Sequence, residues 1–188
     1  MRQFILFATL CMTVASANAE TYERSIDVTF PNQVAGLEFA GRKEFPQKEL
    51  GVNIGYQRTG PMRGAIFIYS GGLSSIPSGT DGTIVKKHFE EVIREVKQLE
   101  SQGRVRAVNL SKVGEQVTTY PGCGPQFIWR TYEMDLGEEV ATAYTYLTAM
   151  KNNFVKLRIT FRKDLPNGER DAAQFVQQMR KLLGACKN

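Results

Sequence analysis

One histidine, three cysteines and a run of cations without an acid are the residues whose type and spacing bear on chemistry. His88 is the only imidazole, so a multi-histidine metal or catalytic centre is excluded and a Ser-His-Asp relay would have to pass through it. It falls one helical turn after Ile84 and one before Val92, at the edge of an apolar stripe, and no Gly-x-Ser-x-Gly elbow accompanies it. The expected role is a boundary residue packed beside the core. The Cys-x-x-Cys, His-Glu-x-x-His and Asp-x-Asp-x-Asp-Gly patterns are absent, so neither a metal nor a cofactor is expected. Glu90 with Glu91, and Glu138 with Glu139, fall on a wet helix face and in a turn, where solvation is the expected role.

The cations are more informative. Lys151, Lys156, Arg158, Arg162 and Lys163 occur together without one acidic residue between them. Alternation along a strand puts Lys156, Arg158 and Arg162 on one sheet face. That face is either solvated, paired across the sheet with Glu133 or Asp135, or it is an electrostatic platform for an acidic protein, lipid headgroups or a cell-wall polymer. Trp129, Tyr132, Tyr144 and Tyr146 are close enough in sequence to add aromatic contacts. A second candidate, Gly79 to Thr83, places backbone N–H groups at a helix start, where anions are favoured. It lacks the Gly-Lys-Ser/Thr element, so the expectation is a helix capped by Thr80 or Asp81 behind a loop, 71–82, that could form the lip of a ligand site.

Met1 to Ala19 reads as a secretory leader: Arg2, then an apolar stretch from Phe4 to Ala15, then Ala17-Asn18-Ala19 as the small-x-small cleavage pattern. The apolar stretch is shorter than the roughly 20 residues a membrane-spanning helix needs. Nor is any later run long enough. Cleavage after Ala19 leaves one domain, 20–188, outside the reducing cytosol, with Cys123 and Cys186 as its cysteines. An even pair in an oxidising compartment reads as a disulfide. A catalytic thiol at Cys123 is the alternative.

The elements that must position these residues follow from periodicity. Val85, Phe89, Val92, Val96 and Leu99 recur at helical spacing over 83–101, widened by Ile84 and Ile93. Ala172, Phe175, Met179 and Leu182 do the same over about 169–183. Residues 154–162 alternate strictly, 140–150 are rich in Thr, Tyr and Val, and 126–135 form a further strand, giving an antiparallel meander with a turn at Lys151-Asn152-Asn153. The run Ala65 to Tyr69 is apolar throughout, as expected of a strand buried on both faces. Weaker strands are expected at 22–30, 37–45, 51–57 and 104–110. The order predicts an α+β fold, a largely antiparallel sheet with two covering helices.

The segments Gly51 to Tyr56, Ala65 to Ser70, Tyr146 to Thr148 and Phe154 to Thr160 resemble small exported bacterial proteins of unknown function. The order of elements over 37–184 is similar to the PsbP family of photosystem extrinsic proteins. The resemblance implies a PsbP-like fold and a non-catalytic role, and brings no metal or partner residue across. Lys plus Arg is 24 against 19 acids, a mild excess that is no nucleic-acid signature. The expectation is therefore a periplasmic or secreted, non-enzymatic binding or accessory protein, with an envelope protein or an anionic surface or polymer as partner. A small hydrolase with a carboxylate-based site and a toxin-immunity-type inhibitor are the alternatives.

Overall fold

In the computed structural model, residues 20–58, 60–118 and 121–186 are described; the leader expected at 1–19 lies outside the described residues. A small hairpin of β1 (Thr21–Glu23) and β2 (Val28–Phe30) precedes the main sheet. That sheet contains β3 (Gln33–Val34), β4 (Leu37–Glu44), β5 (Val52–Gln57), β6 (Met62–Tyr69), β7 (Ala107–Leu110), β8 (Gln116–Val117), β9 (Ile128–Asp135), β10 (Val140–Met150) and β11 (Asn153–Arg162). The helices are α1 (Thr83–Ser101) and α2 (Gly168–Leu183). The spatial order is β3-β4-β5-β6-β11-β10-β9-β7, with β8 also on β9, and every pairing is antiparallel. The fold is α+β, with the expected meander of β9, β10 and β11 forming one half of the sheet.

The meander is fixed by its turns. Between β10 and β11 only Lys151 and Asn152 intervene, at φ of 46° and 62°. Left-handed backbone at both positions is the geometry of a hairpin turn whose twist matches the strands, and asparagine tolerates it better than most residues. At the other end, the Asp135 carboxylate accepts the Gly137 N–H at 2.8 Å and closes the β9–β10 link.

Alternation along β11 sends its residues to two separate cores. Val155, Leu157, Ile159 and Phe161 pack with Ala172, Phe175, Val176 and Met179 of α2, together with Ile54, Tyr56, Met62, Ile66 and Ile68. Phe154 faces the other way, into a core of Leu147, Ala149, Ile128 and the α1 residues Val85, Phe89 and Ile93. The two helices therefore cover opposite faces of the sheet, and they are offset: α2 lies over β5, β6 and β11, whereas α1 lies over β7, β9 and β10. Each face keeps an uncovered half.

Three expectations are corrected. The strand at 65–69 is not buried on both faces; β6 alternates, with Met62, Gly64, Ile66 and Ile68 buried and Ala65, Phe67 and Tyr69 half-buried on the open part of the α1 face. Its even positions meet α2 and its odd ones lie at the edge of α1, where Tyr69 reaches His88. Helix α1 is not capped by Thr80 or Asp81. Its N-cap is Gly82, with no side-chain cap, because Gly79 bridges to Ala149 (N–H to carbonyl, 2.8 Å) and holds the preceding loop against the end of β10. Ile84 is 40% exposed and lies outside the buried stripe of α1, which Ile93 does join.

Cys123 and Cys186 form a disulfide, with Cα atoms 5.8 Å apart. The bridge is backed by Arg180, only 5% exposed, whose guanidinium donates to the carbonyls of Gly122 (2.9 Å), Pro125 (3.0 Å), Gly124 (3.2 Å) and Pro121 (3.4 Å). A planar fork with five N–H donors can hold a whole turn in this way.

Candidate functional site

On the α1 face, β11 places Lys156 and Arg158 one residue pair past the strand that α1 covers. Lys156 is opposite Phe67 of β6 and Leu147 of β10; Arg158 is opposite Ala65 and Thr145. Leu147 is fully buried under α1, while Lys156, one strand further out, is half-buried at the helix edge. Its Nζ lies 4.8 Å from the ring centroid of Phe67 and 5.3 Å from that of Tyr69, so two aromatic faces receive the ammonium. Burial pushes the Lys156 amine below its ordinary value, and the Glu95 carboxylate on α1 only partly opposes this.

Arg158 is also half-buried. Its Nη2 donates to the Met134 sulfur at 3.6 Å, a weak acceptor, and its Nε is buried with no partner. Neither Lys156 nor Arg158 has a carboxylate at ion-pair distance among the described residues. Both line a pocket of about 240 Å³, closed by Phe67, Val92, Thr145 and Tyr132 and bordered by Glu95, Gln98 and Arg104. Two partly desolvated cations bordering one half-open recess are arranged to take an anionic group.

The rest of the expected cationic row is elsewhere. Arg162 is exposed at the end of β11 and bonded to Asp164, in a separate open cleft with Arg106, Glu138 and Glu139. Lys151 pairs with Asp27 at 3.0 Å, and Lys163 with Glu133 at 2.7 Å. The sequence places Lys156, Arg158 and Arg162 in one row; the structure brings the first two together and leaves the third apart. Phe67, Glu95 and Arg104 complete the pocket, and sequence reasoning missed them. The signal for Phe67 was hidden by a strand that is apolar on both parities.

His88 borders this region without entering the pocket. Its Nε2 shares a 2.7 Å hydrogen bond with the Tyr69 hydroxyl, its Nδ1 lies 3.3 Å from the Glu91 carboxylate, and its ring stacks on Phe154 at 4.0 Å. Burial lowers the His88 imidazole from its ordinary value, against the pull of Glu91. It is a half-buried boundary residue at the helix–sheet junction.

The aromatic residues divide between faces. Tyr132 lies on the α1 face, 1% exposed, with its hydroxyl 3.1 Å from that of Thr145. Trp129, Tyr144 and Tyr146 are on the α2 face, so they cannot contribute to the Lys156 pocket. There they form a near-parallel array with Phe161: Trp129–Tyr146 at 5.7 Å and 23°, Tyr144–Tyr146 at 6.3 Å and 17°, Tyr144–Phe161 at 6.2 Å and 20°. The array borders a cleft of about 410 Å³ with Gln116, Val117 and Thr118 on one side and Glu169, Ala172 and Ala173 on the other.

Among the described residues, no three His, Cys, Asp or Glu side chains come close enough to hold a metal ion. No described helix is long and apolar enough to cross a membrane. No family model matches the chain, and none of the curated proteins is significantly similar to it.

Proposed function

We propose that this is an exported, non-enzymatic binding module of the bacterial periplasm or envelope, which holds an acidic group of an envelope protein or anionic polymer between Lys156 and Arg158 at the edge of α1. The observation that carries the reading is the pair of half-buried cations with no carboxylate at ion-pair distance among the described residues. Removing a charge from water without compensation is costly, and a docked anion recovers part of that cost. The extracytoplasmic setting is supported by the leader-like residues 1–19 and by the Cys123–Cys186 disulfide, which persists in an oxidising compartment. The PsbP-like order of elements is part of the same proposal, since extrinsic proteins of that kind work by docking.

The binding test uses polyglutamate and dextran sulfate at low ionic strength. Wild-type protein should bind at least one of them, and the double charge reversal Lys156→Glu, Arg158→Glu should weaken it by more than about tenfold, with binding falling as salt rises. Affinity unchanged by the reversal removes the pocket from consideration. Mass spectrometry of the protein recovered from the periplasm should give Glu20 as its first residue; an intact Met1 in the cytosol refutes the compartment.

A further inference from the structure

The open half of the α2 face has a different chemistry from the cationic pocket. Trp129 on β9, Tyr144 and Tyr146 on β10 and Phe161 on β11 set four rings side by side across three strands, at mutual tilts of 17–34°. Trp129 and Tyr144 are half-buried. They remain uncovered where α2 turns the small side chains Ala172 and Ala173 towards the cleft, with Glu169 at its end. The indole N–H of Trp129 has no acceptor among the described residues and is not a buried polar atom, so it is open to a partner from solvent. The Tyr144 hydroxyl lies beside Thr131 and under the influence of Glu169, which makes no ion pair among the described residues.

The cleft thus offers the half-buried rings of Trp129 and Tyr144, N–H and O–H donors, and carboxylate and amide acceptors, with Glu169 the only charged group among its described residues. It continues, through the shared Tyr144 and Glu169, into a second cleft of about 970 Å³ along β7, β9 and the start of α2, which is lined by charged groups as well: Lys112, Lys163 paired with Glu133, and Arg170 beside Asp171. We propose that this groove is a binding site for a neutral oligosaccharide. Sugars present flat C–H faces that stack on aromatic rings, and ring hydroxyls that both donate and accept in the plane of the stack. Groups of those kinds line this surface. A polyanion finds no cation among the described residues of the first cleft. A peptide added to the exposed β7–β8 edge would leave the rings empty. Two adjoining clefts that share a ring fit a chain of sugars better than a single one.

Trp129 is the only tryptophan of the protein, so its fluorescence reports directly on the groove. Titration of the full-length exported protein with N-acetylchitotetraose and with cellotetraose should give a saturable change in Trp129 emission with at least one of them, in the millimolar range or tighter. By calorimetry, Tyr144→Ala should weaken that sugar by about tenfold or more. The substitution Ala173→Phe, at an exposed position of α2 where folding is not at stake, should fill the cleft and abolish binding. Glu169→Gln, which keeps the hydrogen-bonding shape, should stay within about threefold of wild type. The Lys156→Glu, Arg158→Glu protein should bind the sugar as wild type does, so this inference and the proposed function fail separately. The inference is overturned if neither sugar produces a saturable response at millimolar concentration. It is equally overturned if Ala173→Phe binds unchanged, or if reduced, carboxymethylated lactalbumin saturates Trp129 emission where the sugars do not, which would mark a protein-docking groove.

Discussion

The uncovered half of the α1 face begins at β11 and the uncovered half of the α2 face at its neighbour β10, yet they carry opposite chemistry. Past the edge of α1 the strands expose Lys156 and Arg158, two cations short of partners; past the edge of α2 they expose Tyr144 with the neighbouring Trp129, rings short of cover. Parity decides the face, and the offset of the helices decides which residues of one parity become core. Leu147 and Lys156 are direct cross-strand neighbours on one face, and only the first lies under a helix. A two-helix, one-sheet design with helices on opposite sides therefore creates two half-faces whose composition can diverge freely.

The largest effect should come from the covalent tie that supports the α2 side alone. Cys123→Ser with Cys186→Ser opens a closure spanning 63 residues and should cost about 4 kcal/mol in denaturant unfolding. Native-state hydrogen exchange should then rise first in 121–125 and the end of α2, with α1 protected. Equal loosening of both helices would mean that the faces are not independent.

A smaller effect should separate covered from open surface by a single methyl. A Cβ on Gly64 would come within 2.6 Å of the buried Phe175 ring under α2, so Gly64→Ala should destabilise by about 1–3 kcal/mol. On the neighbouring strand and the other face, a Cβ on Gly55 meets only Ala40 Cβ at 3.7 Å, and Gly55→Ala should stay within about 0.5 kcal/mol. Similar losses at both positions would show that the α1 half-face is not open.

Next in size is the ion pair that joins α2 to the sheet. Asp171 accepts from Arg58 at 2.8 Å, and that bond holds its carboxyl below the ordinary aspartate value of 3.8. A depressed carboxyl adds stability above its unfolded pKa and loses it as pH falls through the folded one. Asp171→Asn should therefore cost about 1–2 kcal/mol at neutral pH, and the difference from wild type should shrink as pH falls below the ordinary aspartate value of 3.8 and be lost once the folded carboxyl is protonated. A difference that persists in acid contradicts the assignment. The smallest effect sharpens the contrast from the other side. Lys156→Met removes a half-buried, unpaired cation and should change stability by less than about 1 kcal/mol, in the stabilising direction, while anion binding is lost. A marked loss of stability would mean that the contacts with Phe67 and Tyr69 outweigh the desolvation.

The meander was legible in the sequence because β10 is rich in Thr, Tyr and Val and β11 alternates strictly, and the helices because each has one apolar stripe. The pairing of Cys123 with Cys186 could be anticipated because removing the leader leaves only those two. What could not be read was the assignment of helices to faces, which depends on long-range packing and not on any local period. Lys156 illustrates the cost: alternation separates it from Leu157 but cannot tell a solvated lysine from one wedged at a helix edge. The aromatic cleft was equally hidden. Trp129 meets Tyr146 only through the register that the Leu136–Glu139 turn imposes on β9 and β10.

Asn152 holds a position of leverage. Its backbone, at φ 62°, completes the turn between the two longest strands, while its side chain accepts from the Ile76 N–H at 2.7 Å and donates to the Ser74 carbonyl at 3.0 Å. One amide thus couples the tip of a hairpin to the segment that feeds α1, the helix that walls the cationic pocket. A glycine there would preserve the bend and sever the strut, freeing the helix entry without touching a strand, so the width of a recess far along the chain is set in part from a two-residue corner.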